Sequence, residues 1–83
     1  MNTQLIPGKT YKIIADVYPY KAGRVRELTT NFIQSFPCYD GRHHGVGNPA
    51  DFIVYQFLFD MNNPQYGTQS FYAYQIHSIM EVN

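Results

Sequence analysis

The segment from Phe52 to Met61 constrains the fold most strongly, because both of its alternating rows of side chains are largely apolar. One row reads Ile, Tyr, Phe, Phe, Met, and the other reads Phe, Val, Gln, Leu, Asp. This density of β-branched and aromatic residues favours a strand, and a strand that is apolar on both faces needs cover on two sides. The preceding Asn48–Asp51, Asn-Pro-Ala-Asp, also fits the opening of a helix, with an N-cap residue, a proline and an acid. We expect a strand over 52–61, with a helix as the alternative.

Other segments alternate with the two-residue period of strands, and breakers separate them. The pattern predicts strands at Lys9 to Tyr18, Arg24 to Phe36 and Gln69 to Ile76, and a short closing strand from Ile79 to Val82. Clusters of Pro, Gly and Asn predict turns at 19–23 and 62–67. Val25 is out of parity with its strand, which predicts a β-bulge near Glu27. A kink is expected at His77.

The 83 residues leave room for one core, so we expect a single domain over 1–83. The sequence has no long amphipathic helical pattern that would cover the apolar strand. A small antiparallel barrel or a strongly twisted sheet of four or five strands, with at most one short helix, is the economical solution. An open sheet with its second face buried in a dimer is the alternative. The order Leu-x-x-Gly-x-x-Tyr-x-Ile over Leu5–Ile13 resembles first strands of SH3-like barrels, which favours that barrel.

The charges divide into two halves, although the formal net charge is zero. Up to Arg26, five basic residues accompany one acid, and from Glu27 onward five acids accompany one arginine. A net charge of zero argues against non-specific binding of nucleic acid, which depends on many contacts to phosphate. The asymmetry either is neutralised by pairs across adjacent strands or marks a basic patch for an anionic partner.

The basic half ends in a hairpin rich in tyrosine. Tyr18 and Tyr20 flank a proline, and Lys21, Arg24 and Arg26 follow. Aromatic rings interleaved with cations can stack and pair with bases, nucleotides or acidic peptides. We therefore predict that these five residues bind a protein partner or a small anionic, nucleotide-like ligand.

A second candidate surface is the connection from Pro37 to Asp51. Connections of this length in a compact domain are usually functional or disordered, and this one holds the only cysteine, two of the three histidines and three of the six glycines. Cys38, His43 and His44 are of the types that bind zinc, but their spacing matches no established site, so no metal or other cofactor is expected. We count as ligand- or partner-binding residues Tyr39, Arg42, His43 and His44.

Catalysis is the alternative role for this connection. Arg42, His43 and His44 would supply a phosphate clamp and groups that titrate near neutrality, as in a small hydrolase or ribonuclease. Cys38 beside an imidazole would be a nucleophile, but no signature surrounds it, and a small buried cysteine at a strand end is the preferred interpretation. No catalytic residue is assigned.

The expected function is that of a non-enzymatic binding domain, which occupies a protein partner or sequesters a small anionic ligand, in the manner of a bacterial or phage accessory inhibitor. The alternatives are the hydrolase or ribonuclease centred on His43 and His44, and a structural subunit that pairs through strand edges into a homo-oligomer. One cysteine allows no intrachain disulfide and the first residues show no signal-peptide pattern, so the cytoplasm is expected. No apolar run is long enough for a bilayer, so no membrane partner is expected.

Overall fold

The computed structural model describes residues 4–18, 21–38 and 49–82. Five antiparallel strands form one sheet in the order β4-β3-β2-β1-β5. The strands are β1 (Thr10–Tyr18), β2 (Lys21–Pro37), β3 (Ile53–Leu58), β4 (Thr68–Tyr72) and β5 (Ile76–Glu81). Short 3-10 turns lie at Pro49–Phe52, Pro64–Tyr66 and Ala73–Gln75. The predicted mainly β fold of four or five strands is confirmed. No helix among the described residues is long and apolar enough to cross a membrane.

Strand β2 belongs to both halves of the sheet. Its first part pairs with β1 as far as Asn31, and its last part pairs with β3 from Phe32 onward. The turn Ala73–Gln75 joins β4 to β5, which are the two outer strands. In a flat sheet these strands would lie about 19 Å apart, whereas the chain from Tyr72 to Ile76 spans at most about 14 Å. The sheet is therefore strongly curled. The described residues contain no ladder between β4 and β5.

Aromatic rings from both halves fill the concave side of the curled sheet. Phe57 is fully buried, and its ring contacts those of Phe32 and Phe71 at centroid distances of 5.5 and 6.3 Å. Tyr11 packs edge-on against Phe32. The buried cluster consists of Tyr11, Ile13, Ala15, Phe32, Tyr55, Phe57 and Phe71. A small domain thus obtains its core largely from Tyr and Phe, each of which buries a large area.

The inner row predicted for β1 is confirmed for Tyr11, Ile13 and Ala15, but Val17 is exposed. The row predicted for β2 is buried at Thr30 and Phe32, but the register shift between Phe32 and Gln34 moves the following residues to the other face. Phe36 therefore pairs with Val54, on the face opposite Phe57, and is exposed. Alternation identified the inner side of β1, but neither the length over which that side is covered nor the change of face in β2.

The predicted β-bulge near Glu27 is wrong. Pairing with β1 runs without interruption from Val25 to Asn31, and the register shifts elsewhere, between Asp16 and Tyr18 and between Phe32 and Gln34. Val25 faces outward and is exposed. The parity of Val25 does not indicate a bulge, because residues on both faces of β2 are exposed at this end of the hairpin. Strand β2 also begins earlier than predicted, at Lys21, within the range expected to be a turn.

The strand predicted for 52–61 is confirmed over Ile53–Leu58, and the alternative helix is wrong. The 3-10 turn Pro49–Phe52 uses the helix-opening residues, and β3 follows and ends at Leu58. The predicted strand is wrong beyond Leu58. The chain turns over 62–67, as predicted, with Gly67 at a φ of 88°. The predicted strand from Gln69 to Ile76 is wrong beyond Tyr72, because the turn Ala73–Gln75 interrupts it. The break therefore comes before His77, where the kink was expected.

The side chain of Gln75 explains the position of that break. Gln75 is buried, its Oε1 accepts the backbone N–H of Tyr72 at 2.8 Å, and its Nε2 donates to the carbonyl of Asp16 at 3.0 Å. His77 Nε2 lies 2.9 Å from the carboxylate of Asp16. A buried amide that satisfies backbone groups on two elements fixes their relative position. Gln75 thus connects the turn to β1 and holds the curl.

Candidate functional site

Lys9 and Lys12 are paired with acids. Lys9 Nζ lies 2.8 Å from Glu81 Oε1, and Lys12 Nζ lies 3.3 Å from Glu27 Oε1. The hydrogen bond and the charge of Glu81 raise the pKa of Lys9. These pairs are substantially exposed, so each contributes little to stability. They do neutralise part of the charge asymmetry, as the cross-strand interpretation predicted.

The arginines of β2 are not neutralised in this way. Arg24 and Arg26 are exposed, and neither forms an ion pair within the part of the chain that the structure describes. Arg26 Nη1 instead donates a hydrogen bond to Gln69 Oε1 at 3.3 Å. Its Cζ lies 5.9 Å from the centroid of the Phe59 ring, within the range of a cation–π interaction. An uncharged oxygen and an aromatic ring thus position this cation.

The curl of the sheet brings these groups together. Arg26 pairs with Ala15 and continues the inner row of β2 beyond the buried Thr30. Since the opposite half of the sheet ends near this point, the arginine side chain emerges at the mouth of the concave side and reaches β4. There it meets Gln69, which is 43 residues away in sequence. We define the arginine surface as Arg24, Arg26, Phe59 and Gln69.

The orientation of the Gln69 amide follows from its other contacts. Its Nε2 donates to the carbonyls of Leu58 and Phe59 at 3.3 and 3.4 Å. An amide has one nitrogen end and one oxygen end, so Oε1 is the atom that remains for Arg26. Gln69 therefore fixes an arginine without neutralising it.

Exposed apolar side chains continue along the chain after Phe59. Phe59 is 49% exposed, and farther along the chain Met61 is 38% and Tyr66 63% exposed. All three follow β3 or lie in the turn before β4. Arginine, phenylalanine, tyrosine and methionine are residue types that are enriched in protein interfaces.

The carboxylate of Asp60 is engaged within its own turn. Oδ2 accepts the side-chain N–H of Asn63 and Oδ1 accepts the backbone N–H of Asn62, each at 2.9 Å. The Asn63 side chain first, and the Asn62 backbone second, lower the pKa of Asp60 from 3.8. Asp60 therefore carries a negative charge at neutral pH, one residue from Phe59.

We expect Asn63→Ala to raise the pKa of Asp60 toward 3.8, because the variant lacks the largest contribution to the shift. A folded-state pKa below the unfolded value contributes stability that is present above 3.8 and is lost as the pH falls through the folded-state value. The variant should lose the part of this contribution that comes from the Asn63 side chain at neutral pH. NMR titration of the Asp60 carboxyl carbon measures the pKa.

The control for Asn63→Ala is Asn62→Ala, which retains the backbone N–H that binds Asp60 and should leave the pKa low. An unchanged pKa in Asn63→Ala would contradict the assignment.

The structure places only part of the predicted site residues. It brings Arg26 against Gln69 and Phe59, and Arg24 lies exposed two residues before Arg26 on β2. Tyr18 and Lys21 form the last pair of the β1–β2 ladder, and their side chains are outside the described part. Wholly outside the described residues lie Tyr20, Tyr39, Arg42, His43 and His44. Their roles stay predictions.

The described end of the Pro37 to Asp51 connection shows local structure. Cys38 is half-buried with a free thiol, and its backbone N–H donates to the carbonyl of Phe52 at 3.0 Å. Within residues 4–18, 21–38 and 49–82, no group of three His, Cys, Asp or Glu side chains has a geometry suited to a metal ion.

A second aromatic cluster lies beside this connection. Tyr72 and Tyr74 stack at 5.2 Å with an interplanar angle of 12°, and both pack edge-on against Phe52. This cluster joins the 3-10 turn before β3 to the one before β5. Its first role is structural, because Phe52 is buried and the two tyrosines are half-buried.

Comparison with known proteins adds no relatives. No protein-family model matches the chain, and no significant similarity to a curated protein or to a solved structure was found. The functional argument therefore depends on the geometry of this chain alone.

Proposed function

We propose that the protein is a non-enzymatic binding domain that captures an acidic, partly apolar segment of a protein partner on the arginine surface. The observation that carries the proposal is the contrast between the two kinds of cation. Lys9 and Lys12 each have a carboxylate partner, whereas Arg24 and Arg26 have none among the described residues. The unneutralised charge is concentrated beside exposed aromatic side chains.

The chemistry of arginine supports this proposal. A guanidinium offers five N–H donors in a planar arrangement that matches a carboxylate, and it stacks on aromatic rings. In Arg26 one donor contacts Gln69 and the ring of Phe59 lies nearby. Donors that remain can form a charge-assisted, bidentate pair with a carboxylate. Arginine and aromatic residues also supply much of the binding energy of protein interfaces.

A protein segment fits this surface better than a small anionic ligand. A nucleotide-sized ligand would use the same arginines, but Phe59 beside Arg26 is exposed, and so are Met61 and Tyr66 in the turn before β4. A chain of several residues covers both parts, and burial of the apolar part contributes roughly 25 cal/mol per Å². We propose that the curled sheet serves as an SH3-like scaffold for this surface and that the protein acts in the cytoplasm. The hydrolase and homo-oligomer alternatives stay predictions.

The test compares two double variants that remove the same number of charges. Arg24→Ala with Arg26→Ala removes the unpaired cations, and Lys9→Ala with Lys12→Ala removes the paired ones. Each protein is purified from its natural host, and native mass spectrometry identifies the retained partner. We expect the arginine variant to bind that partner at least about tenfold more weakly, which is 1.4 kcal/mol. The lysine variant should bind like the wild type.

Salt dependence provides a second readout. Binding that depends on exposed cations weakens as salt screens them, so the wild type and the lysine variant should lose affinity with rising salt more steeply than the arginine variant. Equal affinities for the partner in both double variants would contradict the proposal.

A further inference from the structure

We propose that the arginine surface binds one carboxylate at a time, that of an Asp or Glu side chain next to an aromatic residue in the partner, and that Gln69 is the positioning residue for this site. This inference rests on the proposed function and names its ligand. It follows from the contacts of the Arg26 guanidinium. Gln69 accepts a hydrogen bond from one of its donors, and the ring of Phe59 lies near it.

Gln69 presents a neutral acceptor to Arg26. Its Nε2 is committed to the carbonyls of Leu58 and Phe59, which leaves Oε1 for Arg26 Nη1. A glutamate at this position would be an internal carboxylate on the same arginine and would compete with any ligand. With glutamine at position 69, the Arg26 side chain is held in place and keeps its full positive charge.

Phe59 defines how a ligand approaches. Its ring lies 5.9 Å from Arg26 Cζ and covers part of one face of the guanidinium. A carboxylate binds in the guanidinium plane, along an edge with two N–H donors. A side chain next to that carboxylate then meets Phe59, which is 49% exposed. The site thus favours a carboxylate with an adjacent ring.

The charges around the site oppose ligands with several negative charges. Asp60, one residue from Phe59, is held in its ionised form by Asn63 and Asn62. Like charges near a site disfavour further anions, and the chain has no net positive charge to attract a polyanion. A single carboxylate is therefore preferred to a phosphate.

The experiment is an NMR titration of the full chain that follows the Arg26 Nε–H and Gln69 side-chain amide signals. The probes are the blocked dipeptides acetyl-Glu-Phe-amide and acetyl-Gln-Phe-amide, inorganic phosphate and adenosine monophosphate. We expect a saturable shift with the Glu peptide, and binding at least about tenfold weaker for the Gln peptide, because it cannot form the charge-assisted pair. Phosphate and the nucleotide should bind more weakly than the Glu peptide.

Two substitutions test the role of Gln69. Gln69→Glu should weaken binding of the Glu peptide at least about tenfold, because its carboxylate occupies Arg26. Gln69→Met keeps the length without charge or hydrogen bonds, and should weaken binding by a smaller factor, because Arg26 is no longer positioned. The ring resonances of Phe57 show whether Gln69→Glu folds. If it does not, the inference is tested by the ranking of the probes with the wild type and by the affinity of Gln69→Met.

The outcomes separate the inference from the proposed function. Tighter binding of phosphate or nucleotide, no saturable shift with the Glu peptide, or wild-type affinity in both Gln69 variants would overturn the inference. The proposed function stands in those cases if the partner from the host is still lost in the double arginine variant. It falls if the partner is retained there.

Discussion

Phe57→Ala is expected to lower the free energy of unfolding by about 3–5 kcal/mol, the cost of removing a fully buried phenylalanine side chain. Phe57 is at the centre of the core, in contact with the rings of Phe32 and Phe71. These neighbours belong to β2 and β4, on either side of β3. The substitution would therefore leave a cavity between side chains that both neighbouring strands contribute to the core.

The loss is large for a domain of this size. Native proteins have roughly 0.05–0.15 kcal/mol of stability per residue, so this variant should lose a large part of the total, and its Tm should fall by at least about 12 °C. Urea unfolding followed by circular dichroism measures the change. Phe59→Ala is the matched control, because it makes the same substitution two residues later at an exposed ring. Similar losses in the two variants would contradict the assignment of Phe57 to the core.

Gln75→Met is expected to lower the free energy of unfolding by about 2–6 kcal/mol, the sum for two backbone groups that lose a buried side-chain partner. The substitution keeps the length and apolar volume of the side chain. It removes the donor to the carbonyl of Asp16 and the acceptor of the Tyr72 N–H. The connection between the turn Ala73–Gln75 and β1 would be lost with them.

Amide hydrogen exchange tests this mechanism directly. The Tyr72 N–H should exchange faster in Gln75→Met, because its acceptor is removed, while core amides should change only as far as global stability changes. Gln34→Met is the control. Gln34 is exposed and its amide donates to Gln56 Oε1 at 2.8 Å, so its loss should cost under about 1 kcal/mol. If the Tyr72 N–H exchanged at the wild-type rate in Gln75→Met, Gln75 would not be the residue that holds the curl.

The residues of the proposed binding surface were partly visible in the sequence. Arg24 and Arg26 were predicted from their place in a basic hairpin, and the structure shows them exposed and without carboxylate partners among the described residues. Phe59 and Gln69 were missed. Phe59 was interpreted as part of an apolar strand, and Gln69 as the start of another strand. Neither has a local signal, because their relation to Arg26 depends on contacts between segments that are far apart in sequence.

The interruption of the predicted strand at 69–76 was invisible for a similar reason. The alternation of Tyr72, Tyr74 and Ile76 favours a continuous strand. The chain instead turns at Ala73–Gln75, where Gln75 finds its partner on Asp16. Local propensity was overridden by one buried amide.

The sequence by itself determined that this chain forms strands and which side of β1 faces inward, because the two-residue period is a local property of an extended chain. It also determined that Tyr and Phe would build the core. Only the tertiary structure decided where the inner row of β1 loses its cover and where β2 changes face, because both depend on pairing between segments that are far apart in sequence. For this reason Arg26, on the same row as the buried Thr30 and Phe32, emerges beside Phe59 and Gln69 as an exposed cation without a carboxylate partner among the described residues.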